Sequence, residues 1–262
     1  MIGQPEATVI VLGSHKGGIG RTITAVNLAA MLALANRRTL LVDFDPKGDA
    51  TASVGLERAH GDRTLAQLSD PQRFVADIRP AGSPAGLDVW PGGPILEKLQ
   101  ATLWKEGDPP VDLLRKGLAE ARKRYRVIVV DALPALDPLG CNAIAAADVL
   151  LMPLSGAAFS GPAMQELVHA AGRFCPALHV VGVRLGIRPE ERLGGRRQGL
   201  PATPACFRST ILDCAIAYDA QTLLQAADRG VPVFDHAPGS RVARSFIELS
   251  REVLAKIIEA PR

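Results

Sequence analysis

The chain has 262 residues, a formal net charge of +3, 47% hydrophobic residues and only 4% aromatic ones. So small a net charge leaves any nucleic-acid partner to the distribution of basic residues, and no apolar run reaches the eighteen or so residues that span a bilayer. Met1-Ile2-Gly3-Gln4-Pro5-Glu6 has no basic stretch leading into an apolar one, so the protein is expected to stay in the cytoplasm.

Residues 7–13, Ala-Thr-Val-Ile-Val-Leu-Gly, form a β-branched and aliphatic run that predicts a central strand buried on both faces. A glycine-rich loop follows, and Thr22 to Ala35 is Ala- and Leu-rich, predicting a helix. Thr39-Leu40-Leu41-Val42 predicts the next strand. The stretch 76–94, rich in Pro and Gly, reads as a surface loop. Residues 112–124 are amphipathic, Val127 to Val130 reads as a strand, 138–147 as a helix and Val149 to Leu154 as a strand. A helix at 161–174, a strand from His179 to Leu185, a loop at 186–205 and a closing helix at 240–258 complete the pattern. Strands alternating with helices predict an α/β fold: one domain over residues 1–262, with a mostly parallel twisted sheet and helices on both faces. Cys141, Cys175, Cys206 and Cys214 are far apart, without a CxxC pair or a histidine at a zinc-ligand spacing, and read as reduced, mostly buried thiols.

Three segments carry chemistry. Residues 14–22, Ser-His-Lys-Gly-Gly-Ile-Gly-Arg-Thr, stand between a buried strand and a helix. Gly17, Gly18 and Gly20 tolerate the positive φ angles that turn successive backbone N–H groups inward, and the following helix adds the positive end of its dipole, so a polyphosphate fits there. Asp43-Phe44-Asp45-Pro46-Lys47-Gly48-Asp49 follows the second strand, and Asp131 ends the run Val127-Ile128-Val129-Val130. Carboxylates at the carboxyl ends of parallel strands beside a phosphate loop can hold a metal's waters and orient an attacking water.

Together these segments resemble the ParA/MinD family of P-loop ATPases, whose deviant Walker A motif is Lys-Gly-Gly-x-Gly-Lys-Thr and whose next motif is Asp-x-Asp-Pro-Gln-Gly-Asn-Ala-Thr. The resemblance implies ATP and Mg²⁺ as cofactors and dimerisation in the ATP state. By resemblance Lys16 crosses the dimer interface to the partner's phosphates, and Lys16, Gly17, Gly18, Ile19, Gly20, Arg21, Thr22 and Ile23 form the nucleotide loop. Thr22 ligates the metal, Asp43 and Asp131 stand in its outer shell, and Asp45 positions the attacking water, so that Lys16, Asp45 and Arg21 are the catalytic set. Asn142, the pair Ala147-Asp148 and Gly230-Val231-Pro232-Val233-Phe234-Asp235 are further family marks, and 86–97 resembles the family's connecting strand and loop. Residues 186–228, where the family's adenine-contacting loop lies, match only loosely.

The sequence departs from the motif at Arg21, where the family has a lysine. Arginine keeps the charge but is bulkier and prefers bidentate contacts, which points to ATP binding with altered hydrolysis. The family reading further implies a switch that positions DNA or another large cargo, with a ParB-like or other adaptor partner and residence on the nucleoid. Arg188, Arg192, Arg196 and Arg197, with Arg241 and Arg244 near the last helix, can bind the phosphates of duplex DNA without reading sequence. The alternatives are a MinD-like membrane-associated positioning ATPase and, in a different class, a kinase-like enzyme acting on a small substrate.

Overall fold

The computed structural model describes residues 6–13, 20–61, 64–105, 110–132, 137–154, 168–169, 171–175, 178–187, 208–217 and 219–260. Its centre is β1, Thr8–Leu12, a run so apolar that all five residues are buried. It pairs in parallel with β5, Val127–Ala132, on one side and with β6, Val149–Leu154, on the other. With β2 (Thr39–Phe44), β3 (Arg79–Pro80), β4 (Leu87–Trp90), β7 (His179–Ile187) and β8 (Arg208–Ala217), the sheet has the order β3-β4-β2-β5-β1-β6-β7-β8. Only the two-residue β3 is antiparallel.

Alternate residues of each central strand serve two cores, as the two-residue repeat of a strand requires. Val9, Val11, Val42 and Val130 face one layer, which contains the helices Ile95–Lys105, Leu113–Gly117 and Pro138–Ala146. Ile10, Leu12, Leu41 and Val129 face the other, built from the helices Arg21–Leu34 and Arg241–Val253. Covered on both faces, the sheet excludes water. Each fully buried leucine of the first helix, such as Leu28 and Leu32, contributes roughly 1.5–3 kcal/mol.

Two family marks turn out to be ties between distant segments. Asn142 is fully buried; its Oδ1 accepts from the Leu113 amide at 2.9 Å and its Nδ2 donates to the Pro110 and Pro138 carbonyls. Asn27 accepts from the Val233 amide at 2.8 Å and donates to the Ile23 carbonyl, fastening the first helix to the Gly230–Asp235 segment.

The structure departs from the sequence expectations in several places. The stretch 76–94 contains β3 and β4, and Trp90 is fully buried, stacked on Phe74 with ring centroids 4.8 Å apart. Four strand residues among glycines and prolines look like a loop until β2 offers a parallel partner, pairing Thr39 with Leu87 and Val42 with Trp90. The helix Ile95–Lys105 and the strand β8 had no counterpart in the expected elements. The amphipathic stretch 112–124 is two short helices, Leu113–Gly117 and Ala121–Arg124. Of the helix expected at 161–174, residues 168–169 and 171–174 are described and helical. Cys141, Cys175 and Cys214 are half-buried rather than mostly buried, the Cys175 thiol donating to the Ala147 carbonyl, and Cys206 lies outside the described residues.

Candidate functional site

The carboxyl ends of β1, β2 and β5 converge at one edge of the sheet. Gly20 caps the first helix at φ +85°, a left-handed conformation that costs a residue with a Cβ and is open to glycine. Its carbonyl accepts from both the amide and the hydroxyl of Thr24, which starts the helix one turn in. Above this end lies a cleft of about 870 Å³, lined on the phosphate-loop side by Gly20, Arg21, Thr22, Ile23 and Asp45. Its far wall comes from the ends of β7 and β8, the helix Ala220–Asp228 and Phe246 of the closing helix. Lys16, Gly17, Gly18 and Ile19 lie outside the described residues.

Asp43 and Asp131 are register partners across β2 and β5 and are both buried behind the cleft wall. Among the described residues, no hydrogen bond is formed to either Oδ1 or Oδ2 of Asp131. Burial pushes its pKa up to about 7, with Asp43 adding to the rise, while the neighbouring Thr22 hydroxyl and Arg21 oppose it. A buried carboxylate with no hydrogen bond formed to a described residue, beside the Thr22 hydroxyl on the cleft wall, fits the water shell of a divalent cation. Thr22 and Asp131 therefore suit Mg²⁺, which when bound neutralises phosphate charge.

Asp43 belongs to a different arrangement. Its Oδ2 accepts from the Thr51 amide at 2.7 Å and the Thr51 hydroxyl at 2.6 Å, and its Oδ1 accepts from the Asp45 amide at 3.3 Å. Gly92 closes over it, since a Cβ there would stand 2.7 Å from Oδ1. Asp43, assigned from the sequence to the metal's outer shell, has its oxygens engaged in folding the loop that carries Asp45. Burial raises its pKa to about 6 even against the two Thr51 bonds.

These raised values have a defined pH consequence. Both groups hold protons in the folded chain at a pH where they are ionised in the unfolded one. Their contribution to the stability of the nucleotide-free protein is present in full below about pH 4 and is lost as pH rises through about 6 to 7. A cation near Asp131 requires the ionised form, so Mg²⁺-nucleotide binding is expected to tighten as pH rises from 6 to 8 with release of roughly one proton. Calorimetry of ATP-analogue binding in buffers of different ionisation enthalpy measures that proton; a buffer-independent heat contradicts the arrangement.

Similarity to known proteins places this geometry. The family model described as AAA domain matches residues 7–178. The chain is 31% identical to the chromosome-partitioning ATPase Soj of Thermus thermophilus, over 96% of this chain and 97% of that protein. It is 29% identical to the sporulation initiation inhibitor protein Soj of Bacillus subtilis, over 94% and 98%. The chain belongs to the ParA/MinD family of P-loop ATPases. Among solved structures, the septum site-determining protein MinD of Pyrococcus horikoshii, complexed with Mg-ADP, has the same fold at a TM-score of 0.70 and 18% identity, covering 96% of this chain and 98% of that one. Cobyrinic acid a,c-diamide synthase of Mycobacterium smegmatis, with a bound ATP analogue and magnesium, aligns at a TM-score of 0.73 and 20% identity, covering 95% and 94%. As a ParA/MinD member the chain is an ATPase that uses ATP and Mg²⁺.

Within that family, Arg21 has a position the motif alone could not convey. Its guanidinium is buried, Nη1 donates to the Ala132 carbonyl at the end of β5, and Nε has no hydrogen-bond partner among the described residues. Burial lowers its pKa, and the charges of Asp131 and Asp45 work against that shift. The sequence assigns Arg21 to the nucleotide phosphates; here its head group is held against the end of β5. Asp45 does line the cleft, with its Oδ1 accepting from the Lys47 amide at 2.9 Å. Leu185, Ile216, Asp219 and Leu223 on the far wall were missed. No local motif marks them, because three separate segments supply them.

Of the arginines assigned to DNA, Arg188, Arg192, Arg196 and Arg197 lie outside the described residues. Arg241 and Arg244 are exposed one turn apart at the start of the closing helix, and neither forms an ion pair with a described residue.

Proposed function

We propose that this chain is an ATP-dependent dimerising switch that positions DNA or another large cargo, acting in the cytoplasm on the nucleoid through sequence-independent DNA contacts and recruited by a ParB-like or other adaptor. The observation that carries the reading is the convergence of Thr22, Asp45 and Asp131 at one end of a nucleotide-sized cleft, in a chain similar along its whole length to Soj proteins. In this reading Thr22 and Asp131 hold the Mg²⁺, Asp45 orients the attacking water and Lys16 reaches the partner's nucleotide, so ATP and the second subunit bind together. Gly17, Gly18, Ile19, Gly20 and Ile23 cradle the phosphates. Turnover is slow because Arg21 is engaged at Ala132 rather than free to follow charge onto the leaving oxygen.

Arg241 and Arg244 support DNA as the surface: two adjacent exposed guanidinium groups per subunit become four in a dimer, and avidity then links nucleotide to affinity. Among the described residues no helix is long and apolar enough to cross a membrane. Light scattering is expected to show a dimer with a slowly hydrolysed ATP analogue and a monomer without it, and Lys16→Ala is expected to stay monomeric. Gel shifts on two unrelated duplexes should show equal, ATP-dependent binding that weakens with salt. Replacing Arg241 and Arg244 by alanine removes four contacts per dimer and should flatten the log–log salt slope by roughly 3 to 4 units. A dimer that ignores both duplexes and sediments with anionic vesicles establishes the membrane-associated alternative instead.

A further inference from the structure

The loop after β2 carries a lysine where the family motif has glutamine. Lys47 lines the same cleft as Arg21, Thr22 and Asp45, and its side chain is exposed. Its backbone is held at both ends: the amide donates to Asp45 Oδ1 at 2.9 Å, and the carbonyl accepts from Arg58 Nε at 2.7 Å. Arg58 in turn bonds Asp49 at 3.2 Å, so its charge is paired. The Lys47 ammonium forms no hydrogen bond or ion pair with a described residue. The segment is therefore an anchored stem with a free cation, next to the carboxylate assigned to the attacking water.

The opposite holds for the cation that the phosphate-loop motif would supply. The Arg21 head group is buried, bonded to the Ala132 carbonyl and flanked by Asp131 and Asp45. A triphosphate entering this cleft brings several negative charges to a wall whose described cations are Arg21, Lys47 and Arg58, and of these only Lys47 is neither bonded nor paired. An ammonium on a flexible four-carbon stem can meet a phosphate oxygen as a point charge without the fixed planar approach of a guanidinium.

We propose that Lys47 is a phosphate-binding residue of this ATPase, contacting the terminal phosphate of ATP and supplying the ammonium that the loop's arginine does not. This rests on the reading of the cleft as the ATP site. It distinguishes ATP from ADP, because the terminal phosphate is what the lysine reaches.

Binding of Mg²⁺ with a slowly hydrolysed ATP analogue and with ADP to the full chain, followed by fluorescence anisotropy at one protein concentration, tests it. Lys47→Met is expected to weaken the ATP analogue about tenfold and ADP less than threefold, with an unchanged melting temperature, and Lys47→Arg to stay within about threefold of the parent for both. In an Arg21→Lys background the cost of Lys47→Met should shrink below threefold, because an ammonium is back in the loop and the two sites are coupled. Equal binding by parent and Lys47→Met overturns the assignment, as does an equal loss of both nucleotides, which indicates a loop held in shape rather than a phosphate contact. A parent chain that binds neither nucleotide removes the ATP-site reading itself, an outcome separate from the other two.

Discussion

Asp45→Ala is expected to lower ATP turnover about a hundred- to a thousandfold while leaving nucleotide affinity within a few-fold, so that the ATP-bound dimer accumulates. The size follows from what Asp45 can do where it stands. It is buried to all but 7% of its surface, lies on the cleft wall just past β2, and has one oxygen turned to the Lys47 amide, leaving the other for a water. Removing it takes away an acceptor for the attacking water and leaves the phosphate contacts in place. Alanine also removes the bond to the Lys47 amide, so Asp45→Asn is the matched control: an amide oxygen keeps that bond but cannot act as a base. Both variants should lose turnover alike. If Asn retains turnover and Ala loses it along with affinity, Asp45 shapes the loop and does not act on water.

The second large effect concerns Arg21. Arg21→Ala leaves the Ala132 carbonyl without its donor and Asp131 without its nearby positive charge, a buried vacancy of the kind that costs about 3–5 kcal/mol. For a chain of this length that is a fall in melting temperature on the order of 10 °C, measurable by calorimetry. Arg21→Lys is the milder and more informative change. A lysine loses the geometry that reaches Ala132, at a cost of about 1 kcal/mol, but frees an ammonium for the phosphates, and turnover is expected to rise about tenfold, or roughly 1.4 kcal/mol of transition-state stabilisation. Unchanged or lower turnover at constant affinity means that the arginine is adapted to this site, and the slow-turnover reading fails. The two Arg21 variants thus separate the role in holding β5 from the role in chemistry.

Much of the fold was legible because its signals are local. β1, β2, β5 and β6 are each a continuous apolar run at the centre of a parallel sheet, and a strand buried on both faces has to be written that way. The first helix and the closing helix were equally plain from their composition and spacing. β4 and β8 were not. Each is stabilised by a partner strand far away in the chain, and the Leu87–Trp90 segment alone is too short to declare itself among glycines and prolines.

The site divides in the same way. The sequence by itself determined that two acidic strand ends and a hydroxyl at Thr22 would meet at one edge of a parallel sheet, since each motif states its own place relative to a strand or helix end. It also carried the family resemblance, which lies in those motifs. Only the tertiary structure decided what the side chains are free to do. Asp43 and Asp131 are both aspartates at the carboxyl ends of neighbouring strands, yet one is bonded to Thr51 and Asp45 and the other has no hydrogen bond formed to a described residue. Arg21 and Lys47 are both cations on the cleft, yet the first is bonded to Ala132 and the second is bonded to no described residue through its ammonium. The physical reason is that a carboxylate or a cation acts through whatever hydrogen-bonding capacity its surroundings leave it. Those surroundings come from Thr51 and Arg58 beside the loop after β2, from Gly92 after β4 and from Ala132 at the end of β5, and the last two are remote in sequence from that loop.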